Sequence, residues 1–202
     1  MSSEPSHVVG PEERSRYELM RGKHAILSLA PIPRKLRWCG YLALIAALPG
    51  PIMLLLPADV RSTFLAGDPL TVPLAAVSIT GLGVLSLLLG TLGLAFIGHR
   101  TVGHEQLPEP RIWTYIGLED AFTFAAFTTG ALATVTSVSI LASGLAGTGA
   151  VVWLEGTGVQ PYFSVPGLSL PPLAATVGGL VVAVTAFASS RWVAGLDGVD
   201  VN

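Results

Sequence analysis

The chain has 202 residues, 51% of them hydrophobic and 12% charged, with a formal net charge of -2 and a mean hydropathy of +0.65. An ordinary soluble domain carries about 25% charged residues, so this chain cannot cover itself in polar surface, and no basic stripe interleaves with aromatics to suggest a nucleic-acid partner. Cys39 is the only cysteine, which excludes an internal disulfide and any Cys-x-x-Cys chemistry and reads as a small buried hydrophobe. Nine arginines against Lys23 and Lys35, with abundant Ala, Gly and Val, suggest a GC-rich prokaryotic genome.

Residues 1 to 35 read as a cytosolic N-terminal arm carrying Arg14, Arg16, Arg21, Lys23, Arg34 and Lys35 with Glu4, Glu12, Glu13 and Glu18. Within it, Pro11-Glu12-Glu13 followed by Arg21, Lys23 and His24 fits an amphipathic helix, since proline suits a first turn and these charges complement the macrodipole. Tyr17, Met20, His24 and Leu27 share its apolar face, and Pro31 and Pro33 should end it. A secretory signal has a shorter charged stretch before its apolar core, so the run that follows is expected to stay as a membrane anchor.

Four apolar segments follow, at about 36–56, 73–98, 112–146 and 172–192, each near the ~20 residues that cross a hydrocarbon core or longer. Pro49, Gly50 and Pro51 predict a kink or break in the outer half of the first. The second has no charge between Pro73 and Gly98. The third belongs to an uncharged run from Ala121 to Leu154, about 51 Å as a helix and longer than a bilayer needs. Gly144, Gly147 and Gly149 are where it should stop, leaving Val151 to Leu154 in an outer loop or re-entrant piece. The fourth leads to a short acidic tail over 193–202.

Ten of the eleven Lys and Arg residues fall on one side of this arrangement, with Arg61 alone on the other, so the positive-inside rule places both termini in the cytoplasm. Trp38, Trp113, Trp153 and Trp192 lie near segment ends, as interfacial aromatics do. The expected fold is an all-α membrane protein, a four-transmembrane-helix bundle of two hairpins in the cell (plasma) membrane. No convincing internal repeat is present.

Small residues recur at fourfold spacing: Ser86 and Gly90, then Ala142, Ala146 and Ala150, then Ala175, Gly179 and Ala183. Such stripes let helix backbones approach closely in lipid, inside the bundle or at an oligomer contact, although an Ala- and Gly-rich chain also produces them by chance. Thr128, Thr129, Thr134, Thr136, Ser137 and Ser139 make segment three the most hydroxylated. They read either as hydroxyls bonded to their own helix or as a pore lining.

His7, His24, His99 and His104 all fall outside the apolar segments, which disfavours a haem-carrying bundle and an intramembrane Ser-His protease. No Asp-rich motif for metal-assisted phosphotransfer appears. His99, His104 and Glu105 cluster after segment two, but a spacing of five is not that of a helical metal pair, so they are weak metal candidates and no cofactor is expected.

Glu119 and Asp120 allow two drawings. Segment three can begin after Asp120, with the pair capping its N terminus, where free backbone donors favour carboxylates. It can instead begin at Pro110, behind interfacial Arg111, Trp113 and Tyr115, which puts the pair two turns deeper as an ion or proton site with His99 or Arg111 as partner. The leading functional expectation is a non-catalytic accessory subunit or scaffold, bound to the lipid bilayer and to other subunits or itself. The alternative is a small transporter or proton- or cation-linked carrier using that acidic pair. An enzyme is disfavoured because no nucleophile, base and orienting group can be assembled.

Overall fold

The computed structural model describes residues 30–65, 67–101, 108–165, 167 and 169–196. Residues 1–29 of the N-terminal arm, with the expected amphipathic helix, the tail after Leu196, and His104 and Glu105 lie outside these residues, whereas the last residues of the expected arm, from Ile32 on, belong to the first helix. What is described is helical, with no strand beyond an isolated Leu74–Leu170 bridge, and four helices are long and apolar enough to cross a membrane. These are spans one to four: Ile32–Leu55, Ala75–Thr101, Glu109–Ala146 and Pro172–Leu196.

Span one is two helices, α1 (Ile32–Ala46) and α2 (Pro49–Leu55). Proline has no N–H and clashes with the preceding turn, so Pro49 and Pro51 interrupt the helix where the sequence implies. The Gly50 amide that the break releases donates to Thr176 Oγ1 on span four at 2.9 Å, so the interruption leaves no orphan donor there. A short helix, α3 (Ala58–Phe64), follows, and span two is one continuous helix, α4 (Ala75–Thr101).

Span three begins earlier than a cap at Asp120 requires. Helix α5 (Glu109–Phe124) takes Pro110 into its first turn, a π-helical turn occupies Ala125–Gly130, α6 runs over Ala131–Ala142, and a 3-10 turn at Ser143–Ala146 closes it. Of the three candidate glycines, Gly147 makes the break: its φ of 94° lies in the left-handed region, where a side chain is strained. The residues beyond it do not form a loop. They restart as α7 (Thr148–Gly156), on which Trp153 is exposed. Span four is α8 (Pro172–Leu196).

The small-residue stripes divide on inspection. Ala175, Gly179 and Ala183 are buried, and a Cβ on Gly179 would meet Ala47 N at 2.7 Å and Ala43 O at 2.8 Å, so span four rests on the backbone of span one at its break. Gly90 is buried against Ala126 and the carbonyl of Phe122. Ser86 and Ala142 are only half-buried and Ala146 is exposed, so these three do not belong to the close-packed seam; Gly83, set against Thr134 and Gly130, and Gly144, set against Tyr162, do. The hydroxyls of span three also split. Thr134 and Ser137 face the interior, Ser137 bonding Ala76 O and Thr80, whereas Thr128, Thr129, Thr136 and Ser139 are exposed, so no single lining unites them.

Candidate functional site

The site lies where α1 meets α5. Three residues into α1, after Pro33 in the first turn, Lys35 points into the bundle while Arg34 points out. Helical spacing explains the difference: Lys35 shares its face with Leu36, Cys39, Ala43 and Ala46, all buried, and Arg34 shares its face with exposed Trp38, over whose ring it lies at 5.6 Å. On α5 the buried face comprises Ile112, Ile116, Glu119 and Thr123, and α1 presents its lysine to that face.

Lys35 Nζ stands 2.8 Å from Glu119 Oε1, with side-chain exposures of 2% and 0%. The same ammonium donates to Thr123 Oγ1 at 3.2 Å, and the Thr123 hydroxyl donates to the Glu119 carbonyl one turn back at 2.6 Å. Thr123 therefore holds the acceptor side of its oxygen toward the lysine. A charge in a low-dielectric site is tolerated when it is both paired and hydrogen-bonded, and these three side chains meet that condition together. Leu36 beside the lysine and Ala126 one turn beyond Thr123 belong to the apolar cluster that seals the site from within.

The sequence-derived candidates separate accordingly. Glu119 is in the interior of a helix, not at a cap, because the helix starts at Glu109, ten residues earlier. Asp120, one residue on, turns 100° away and is half-buried. Neither expected partner faces Glu119: Arg111 is exposed near the start of α5, and the His99 ring stacks on Trp192 at 4.9 Å. A partner is Lys35, which the sequence alone places among the basic residues of the arm. The missed signal is periodicity: extending the apolar face of α1 back by one turn from Cys39 lands on Lys35. Among the described residues no three of His, Cys, Asp and Glu gather as metal ligands would.

In comparison with known proteins, no family model, no curated protein and no solved structure matches the chain.

Proposed function

We propose that this chain is a non-catalytic subunit or scaffold of a membrane assembly, with both termini on the cytoplasmic side of a prokaryotic plasma membrane. The observation that carries this reading is the buried pairing of Lys35 with Glu119 and Thr123. Lys35, Glu119 and Thr123 bond one another at full burial and join span one to span three, which is the part a structural tie between helices plays. Such a pair acts as a clasp that fixes which helices pack together. The orientation rests on the one-sided distribution of Lys and Arg.

Purification of the full chain in mild detergent tests the reading. A co-purifying membrane protein or a defined oligomer is expected, and a monodisperse monomer without companions overturns it. A second reading, a proton-linked carrier, draws on the full burial of Glu119 and on the broken helix of span one. It requires gradient-driven flux in proteoliposomes that Glu119→Gln abolishes, and absence of such flux removes it.

A further inference from the structure

We propose that the outer groove between spans one and four holds the headgroup of an anionic phospholipid, its phosphate clamped by Arg37 and Arg191. The placement follows from one ring contact and helical geometry. The rings of Tyr41 and Phe187 meet edge-to-face at 5.3 Å across the groove. Arg37 stands four residues before Tyr41 and Arg191 four residues after Phe187. The two helices run antiparallel, so both steps lead one turn toward the same end of the bundle and keep to the same face. The arginines therefore lie on one face and at the same end of the bundle, beyond the aromatic pair. Ser190 Oγ, donating to Pro33 O at 2.8 Å, ties the two helices at this end and sets Arg191 about one turn beyond Arg37, a gap that two long side chains can span.

Two guanidiniums on one face of a groove draw an anion between them, and nothing on either helix supplies one. Spans one and four contain no Asp or Glu, and the described carboxylates of this end, Glu109, Glu119 and Asp120, are all on span three. Other arginines of the same end are occupied differently, Arg34 over Trp38 and Arg100 over Phe96 at 5.4 Å. The exposed Trp38 and Trp192, next to these arginines in sequence, mark the level where headgroups lie. A phosphate diester accepts the planar fork of arginine in two parallel hydrogen bonds. Further into the groove the surface turns apolar: Leu44 and Val184, three residues beyond Tyr41 and Phe187, are exposed and would run beside acyl chains. A charged head over an aromatic step and an aliphatic floor has the order of a phospholipid. A soluble anion would use only the first of these.

Native mass spectrometry of the full chain, released from nanodiscs of equal dioleoyl phosphatidylglycerol and dioleoyl phosphatidylcholine, tests this. Preferential retention of phosphatidylglycerol is expected, lowered about 10- to 30-fold by the paired variant Arg37→Gln, Arg191→Gln and about 5-fold by either alone, at roughly the strength of one basic residue near an anionic surface per arginine. The single variants keep the test available if the double one fails to fold. Equal retention of the two lipids overturns the proposal, as does an equal loss in Arg111→Gln, which would reduce the effect to a general basic collar. Displacement of the lipid by excess inorganic phosphate would make the site one for free anions. A gain in lipid uptake by Asp197→Asn would make the chain's own acidic tail the occupant. Either result also overturns it.

Discussion

Lys35 shows how strongly the surroundings of a single residue decide its meaning. Exposed in a basic collar it would contribute to topology alone; buried against Glu119 it becomes half of an interaction whose two halves are far more costly apart than together. Removing one partner leaves an uncompensated charge, so Lys35→Met and Glu119→Gln should each lower stability, the former by about 3–5 kcal/mol, and the double variant should recover much of that loss. Thermal unfolding of the four proteins in detergent checks it, and additive losses would mean that the two side chains do not interact. Tyr162 offers a second residue-scale test outside the spans. Burial pushes its hydroxyl up to about 12 from 10.0, partly offset by a backbone hydrogen bond from Gly144, and the hydroxyl donates to Leu141 O at 2.8 Å. The folded chain keeps this proton after the unfolded chain has released it. Its contribution is therefore complete below pH 10 and declines as pH rises from there through about 12. The ultraviolet ionisation step near pH 12 should disappear in Tyr162→Phe, and that variant should lose stability less steeply above pH 10.

At the scale of elements, spans one and four share the most extensive seam, and Gly179 is where that seam brings backbone against backbone. Even one added carbon there would sit 2.7 Å from the Ala47 amide, which is backbone and cannot rotate away. Gly179→Ala should cost about 1–3 kcal/mol, and Gly179→Leu should prevent the bundle from closing, read as loss of a monodisperse detergent complex. Unchanged behaviour of Gly179→Leu would mean that the seam opens at little cost. The break in span one belongs to the same seam. Thr176→Val removes the acceptor of the Gly50 amide without changing shape and should cost about 1–3 kcal/mol, because a part-buried donor is left unmatched.

The whole molecule combines a bundle whose glycines serve its own packing with outward faces of Leu, Val and Phe suited to lipid. Leu82, Leu85, Leu89 and Leu92 on span two and Leu180, Val181 and Val184 on span four are all exposed. Its orientation in a membrane is the prediction at this scale. A reporter active only in the cytoplasm should work when fused after Asn202, and one inserted near Gly67 should behave as external. The reverse result at either position breaks the proposed topology.

The number of helices long and apolar enough to cross a membrane, the break at Pro49-Gly50-Pro51 and the end of the third of them among its glycines follow from the sequence. Each depends on a local rule: the length of an apolar run, the missing amide of proline, the free φ of glycine. Burial of Glu119 is half legible, since Pro110 suits a helix start and Trp113 an interfacial anchor, yet the same residues also permit a cap at Asp120. Its partner is not legible. Lys35 and Glu119 are 84 residues apart, and no local preference states which face of span one meets which face of span three. Only the tertiary packing of four helices brings those faces together. The same holds for Arg37 and Arg191, which read as separate interfacial charges until Tyr41 and Phe187 fix the register of the two helices that carry them.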